Sequence, residues 1–333
     1  YYETVPSNEL ELTLYMESER MLHSKVDQVG VETQREVVKE EYRQRYENQP
    51  YGTILPETLK RAYSVHPYRW APIGSLDDLN AAKIEEFQQF YKDFYVPNNA
   101  TLTIAGDIDY DQTEKWVRKY FAEIPSSNKE IYRPKVAEPK KTAEIRDVIY
   151  DNIQIPAVIQ AYNLPSQTHP DSYALSMLST YLTGGNSSLM TKELVDNQQK
   201  ALAIAAIPLE LEDGGLFIMY GITNMGVEPQ ALESEIDKLI QQVQQEGISD
   251  RDFEKLQNII ENNIVSSNSS VSGIGQNLAE AHVIYGDTDY INKTMDYYSK
   301  VTQEDIKRVA NEYLNLNGRV VLYYLPKPKD ATE

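Results

Sequence analysis

A long-range internal repeat constrains this chain more than any single motif does. Residues 79–106 (LNAAKIEEFQQFYKDFYVPNNATLTIAG) and residues 301–324 (VTQEDIKRVANEYLNLNGRVVLYY) share one order of features. In each, an amphipathic helix ends near a tyrosine, Tyr91 or Tyr313, and an asparagine-containing turn leads into a β-rich run. Such self-similarity implies two copies of one folding unit. Two long helices precede each copy. The first pair is expected over about 6–29 and 31–48, with Gly30 as the break. The second is expected over about 228–246 and 250–268, broken by Gly247 and restarted by Ser249 with Asp252 three residues on, an N-capping pattern. Thr302 and Asp305 repeat that cap at the last helix.

The second copy also carries a front half. Residues 141–152 and 155–163 read as strands, 170–183 and 187–198 as helices, and 201–224 as a hairpin turning near Glu212, Asp213, Gly214 and Gly215. Nothing equivalent precedes the first copy, so about a hundred residues of matching structure are expected to lie before Tyr1. Residues 126–141, rich in proline, serine and lysine, have the composition of an extended linker.

Composition removes several function classes. No apolar run reaches the ~20 residues of a membrane span. Acidic side chains number 51 against 32 basic ones, a net charge of -19, which repels phosphate backbones and argues against nucleic-acid partners. The absence of cysteine excludes disulfides, thiolate metal sites and a cysteine nucleophile. None of the four histidines, His23, His66, His169 and His282, has another three or four residues away, so the chain holds no helical two-histidine metal motif. His66, before Pro67 in a turn-rich stretch, reads as a loop-packing residue.

One acidic helix stands out. Val31, Val38 and Tyr42 fall on a common stripe at helical spacing, and Gln34 and Glu41 are expected on that stripe while Glu36 and Glu40 point away. An inward carboxylate left unpaired in an apolar setting costs several kcal/mol. Glu41 is therefore expected either to snorkel to water or meet an arginine, or to serve a metal or hydrogen-bond network.

The landmarks YYETVP (1–6), Glu19-Arg20-Met21, QREVVKEEYRQR (34–45), His66-Pro67-Tyr68, Ile73-Gly74, PNNATLTIAGD (97–107) and Tyr120-Phe121 before Ile124-Pro125 occur in an order and spacing that resembles the insulinase/pitrilysin family of zinc metallopeptidases. The likeness extends over nearly the whole chain and is strongest to two-domain members similar to mitochondrial processing peptidase. It implies an α+β fold of two homologous α/β units, each a mainly antiparallel sheet packed on one face by helices, the first unit truncated at its N-terminus. Residues 1–125 would be the C-terminal part of the first peptidase-like domain, 126–141 the linker and 142–333 the second domain.

In that family an inverted H-x-x-E-H motif gives two zinc-binding histidines and a glutamate that activates water, and a later helix gives a third ligand. Matching REVVKEE places that ligand at Glu41, with Gln34 at an accessory position where many relatives carry a second glutamate. The sequence contains no H-x-x-E-H segment, so the resemblance implies Zn2+ in a longer parent and no catalytic residue in this chain. Relatives also carry an arginine and, seven residues later, a tyrosine in the second domain that bind the substrate backbone and the developing oxyanion. Val195 and Leu202 occupy those places, and neither side chain donates a hydrogen bond. The expectation is a zinc endopeptidase acting on peptide substrates as the zinc-bearing subunit of a homodimer or of a heterodimer with a homologue bearing the arginine–tyrosine pair. The alternative is a non-catalytic peptidase-shaped scaffold.

Overall fold

The computed structural model describes residues 1–328; the last five positions of the expected second domain, 329–333, lie outside the described residues. In chain order the helices are α1 (Leu10–Leu22), α2 (Gln28–Tyr42), α3 (Ile54–Ala62), α4 (Leu76–Ala81), α5 (Ile84–Phe94), α6 (Tyr110–Phe121), α7 (Asp171–Thr183), α8 (Pro229–Glu246), α9 (Asp250–Ser267), α10 (Val271–Tyr285), α11 (Tyr290–Ser299) and α12 (Gln303–Tyr313). The strands are β1 (Ile145–Asp151), β2 (Ala157–Leu164), β3 (Ala201–Leu209), β4 (Gly215–Thr223) and β5 (Val320–Pro326). Two compact units emerge, one of residues 1–42, 73–135 and 265–292, the other of residues 43–72, 136–264 and 293 onward.

The second unit holds a five-stranded sheet in the order β1-β5-β2-β4-β3, in which only the β1–β5 pair is parallel. This is the mixed, mostly antiparallel class the sequence leads one to expect. β2 (AVIQAYNL) and β5 (VVLYYLP) are nearly continuous apolar runs, the pattern of strands buried on both faces. Successive side chains on β5 show why: Tyr323 meets Glu233 of α8, whereas the Tyr324 hydroxyl lies 3.1 Å from Thr53 Oγ1 at the start of α3. Helices α7, α8 and α12 thus cover one face, with Leu175, Leu178, Leu232, Ile236, Ile306 and Val309 fully buried, each worth about 1.5–3 kcal/mol. The other face is covered as well, by α3. Both expected caps form: the Ser249 hydroxyl accepts the Asp252 N–H at 3.2 Å, and Thr302 and Asp305 make a full reciprocal capping box. Residues 187–198 fold as a shorter π-helical segment, Thr191–Asn197, rather than a full α-helix.

An unpaired strand edge invites association. At Ala206 the β3 edge is occupied by α7: the Ala206 N–H donates to Thr183 Oγ1 at 2.8 Å and its carbonyl accepts from Ser179 Oγ at 2.8 Å. Pro208 removes a further donor.

The proline-rich stretch ahead of β1 is extended, and its final residues are fastened within the second unit. The Glu138 carboxylate accepts from the backbone N–H groups of Ser64, Val65 and His66 at 2.7, 3.0 and 3.0 Å and from the Ser64 hydroxyl at 2.6 Å. Lys141 Nζ donates to the Ala62 carbonyl and, at 3.2 Å, to Asn163 Oδ1. Burial opposes the charged form of Glu138, but the Ser64 hydroxyl and the three N–H donors outweigh it and hold its pKa down to about 2, from an ordinary 4.5. A folded-state pKa below the unfolded one stabilises above the unfolded value and is lost as pH falls through the folded value. The stability difference between wild type and Glu138→Gln is therefore expected to be full at pH 6 and to shrink from about pH 4.5 towards pH 2, as urea titrations at stepped pH would register.

The first unit is helical among the described residues. Its α1 is tied down by tyrosines: the Tyr91 hydroxyl donates to the Arg20 carbonyl at 2.9 Å, and the Tyr120 hydroxyl donates to Glu11 at 2.8 Å. The first helical pair breaks over residues 23–27, not at Gly30. Asp27 Oδ1 accepts the Gly30 N–H at 2.8 Å, so an aspartate cap starts α2 and the glycine sits in its first turn. The expected strand after α5 makes no ladder: residues 100–105 hold no regular structure, and Leu102 is 47% exposed. β5, its counterpart in the repeat, is flanked by β1 and β2; a lone extended segment has no second backbone to pair with.

Candidate functional site

Helix α2 carries the candidate ligand. Of its 15 residues only Val31 and Arg35 are buried, so the inward line runs Val31–Arg35–Val38–Tyr42, with the last two half-buried. At roughly 100° per residue Glu41 falls at the margin of that line. It is half-buried, whereas Glu40, one residue earlier, is exposed. Gln34, expected on the inward stripe, is exposed instead, because the Arg35 guanidinium takes the inward place beside Val31. A charged residue at i+4 from Val31 on an otherwise apolar line was the signal available in the sequence.

Arg35 is 8% exposed. Its Nη1 donates to the Leu79 carbonyl and its Nη2 to the Ala82 carbonyl at 2.8 Å, while its Nε lies 3.3 Å from Glu32 Oε2. Those two carbonyls close α4 and lead into α5, whose entry is itself capped by Glu86 on the Lys83 N–H at 2.7 Å.

In the second unit, Val195 lies in the Thr191–Asn197 segment and packs against the hydrophobic core, and Leu202 sits on β3 with 48% exposure. The turn joining them is fixed by its backbone: Gln199 adopts a left-handed φ of 52°, the Lys200 N–H donates to the Leu194 carbonyl at 2.8 Å, and Lys200 Nζ pairs with Glu235 at 2.8 Å. The backbone is held in place there by hydrogen bonds, but the side chains at both places are apolar.

The histidines serve local roles. His66 is buried, with Nδ1 accepting the Tyr68 N–H at 3.2 Å within its own turn, as expected of a loop-packing residue. His169 Nδ1 accepts the Asp171 N–H at 3.1 Å at the start of α7, and His23 is exposed beside Glu19. Among the described residues no three His, Cys, Asp or Glu side chains converge to hold a metal ion. Glu41 brings a half-buried carboxylate, a donor type that zinc accepts, and the other described residues do not complete a metal-binding set with it. No helix among the described residues is long and apolar enough to cross a membrane.

Comparison with known proteins places this geometry in a family. The pattern described as "Peptidase M16 inactive domain" matches residues 81–260. The zinc protease PqqE of Helicobacter pylori is 30% identical over 320 residues, which cover 95% of this chain and 71% of that protein. The probable mitochondrial-processing peptidase subunit beta of Arabidopsis thaliana is 22% identical over 94% of this chain and 60% of its own length. Among solved structures, a protease from Helicobacter pylori superimposes with a TM-score of 0.92 at 26% identity, covering 97% of this chain and 78% of that one. With more than half of its length matched by the family pattern and a 30% identical relative spanning nearly all of it, the chain belongs to the M16 (insulinase/pitrilysin) peptidase family.

Proposed function

We propose that this chain is part of a zinc-dependent endopeptidase that cleaves peptides, and that Glu41 supplies one carboxylate to its metal. The observation that carries the reading is the contrast on α2, where Glu41 is half-buried and its neighbour Glu40 is exposed. The relative named a zinc protease, which this chain spans for 71% of its length, supports the chemistry. Zinc at such a site contributes a polarised carbonyl and a water of lowered pKa. The remaining ligands and the proton-accepting glutamate would have to come from outside these 333 residues, so the chain by itself is expected to bind zinc weakly and to cleave nothing. Gln34, neutral and exposed, would offer a hydrogen bond near the site but no assisting charge.

Val195 and Leu202 favour a division of labour in which a homologous partner donates the hydrogen bonds to substrate. The test is a cleavage assay on a fluorogenic peptide library with the gene's full-length product, alone and mixed with a homologue bearing the arginine–tyrosine pair. Activity that appears only in the mixture supports the zinc-bearing subunit. A scaffold is the competing reading, favoured by the match of residues 81–260 to a pattern described as inactive. It wins if the mixture is no more active than the homologue alone.

A further inference from the structure

We infer that Arg35 is a positioning residue for the Glu41 carboxylate, acting as a cross-brace that fixes the direction of α2 through the end of α4. The inference rests on the reading of Glu41 as a metal ligand, but its geometry stands on its own. A ligand carboxylate has to be held to within about 0.5 Å, and a helix ordinarily achieves this by burying an apolar face. On α2 that face is thin: Val31 is its one fully buried apolar side chain, Val38 and Tyr42 are half-buried, and Val37 is 54% exposed.

What α2 has instead is a planar, permanently charged group aimed at two backbone acceptors. The Arg35 guanidinium donates to the carbonyls of Leu79 and Ala82, at the exit of α4, where helix carbonyls otherwise have no partner within the helix. It also lies 6.0 Å from the Phe87 ring centroid on α5, so two successive helices hold it. Both carbonyls belong to the same compact unit as α2, and α4 is anchored at its other end by the Ser75 cap on the Asp78 N–H at 3.0 Å. Arg35 and Glu41 are six residues apart, about 9 Å along one continuous helix, so a change of tilt at the brace is transmitted to the carboxylate.

Two variants separate bracing from simple packing. Arg35→Met keeps a stem against Phe87 and removes every donor; Arg35→Lys keeps the charge but cannot reach two carbonyls in one plane. Asp109→Ala is the control, since it removes the α6 cap, an N–H from Gln112 at 2.8 Å, elsewhere in the same unit. Amide exchange of α2 in the full-length gene product is expected to accelerate at least tenfold in Arg35→Met, less in Arg35→Lys, and not in Asp109→Ala. In the full-length gene product, zinc affinity measured by chelator competition is expected to fall about 10–100-fold in Arg35→Met, the range typical of losing a group that orients a ligand, and to stay unchanged in Asp109→Ala. Glu41→Gln is measured beside them. Zinc loss in Glu41→Gln with none in Arg35→Met overturns the positioning role alone; no loss in Glu41→Gln overturns the metal reading beneath it. Unchanged α2 exchange in Arg35→Met overturns the brace outright.

Discussion

Replacing Arg319 with methionine is expected to lower the stability of the second unit by about 3–5 kcal/mol. Arg319, the residue just before β5, is 3% exposed and pairs with three carboxylates: Glu144 at 2.7 Å, Glu233 at 2.9 Å and Asp237 at 2.6 Å. A second arginine, Arg146, meets Glu233 through both terminal nitrogens at 2.7 Å, and the Tyr323 hydroxyl donates to the same carboxylate. Gln160 Nε2 donates to Asp237 at 2.8 Å, which extends the network beneath β2. Burial alone would raise the pKa of Glu233; the bonds from Arg146 and Tyr323 reverse that and hold it below the ordinary carboxyl value. Removing Arg319 leaves Glu144 and Glu233 to Arg146 alone and Asp237 with no cation among the described residues, which is far more costly than never having placed the charges there. Arg61→Ala is the informative contrast. Its partners Asp147 and Glu57 are 48% and 29% exposed on their side chains, well above the 9% of Glu233, so the loss should stay below that of Arg319→Met. Urea midpoints of the two variants, compared at constant slope, measure the difference.

The second large effect concerns the site. In the full-length gene product, Glu41→Gln is expected to reduce zinc affinity by at least the roughly 10–100-fold that loss of a supporting hydrogen-bond partner costs, with peptide cleavage falling in parallel. The amide keeps the size and the half-buried position of the side chain but removes the negative charge that a divalent ion requires. Glu40→Gln, one residue away and exposed, is expected to change neither property. Metal content measured on protein purified without added zinc separates the two variants. Equal occupancy in both would shift the ligand away from α2.

Much of the fold was legible because it is written in short-range chemistry. The caps at Ser249 and Thr302, the β3–β4 hairpin and the apolar runs of β2 and β5 depend on neighbours a few residues apart, and each lies where the sequence puts it. What was not legible depends on distant partners. The stretch 97–107 has strand composition, yet a strand exists only where another backbone meets it, and composition says nothing of that. The place of α3 on the second face of the sheet is set by contacts such as Thr53 with Tyr324, 271 residues apart. Gly30 looked like a helix break because glycine is a poor helix former, but the Asp27 cap three residues earlier decides where α2 begins.

The candidate site divides along the same line. The orientation of Glu41 relative to Glu40 follows from helical periodicity, which is local. The exchange of Gln34 for Arg35 on the inward line follows from two carbonyls at residues 79 and 82, more than forty positions away. A periodicity argument weights apolar residues and passes over an arginine, although a long planar cation is well suited to bracing one helix against the end of another.

Whether the carboxylate at the end of α2 binds metal is read from anomalous diffraction at the zinc edge in crystals of the full-length gene product. A peak about 2.0–2.2 Å from a Glu41 oxygen, completed by two imidazoles, is the predicted result. Full zinc occupancy at a position out of reach of Glu41 would contradict it.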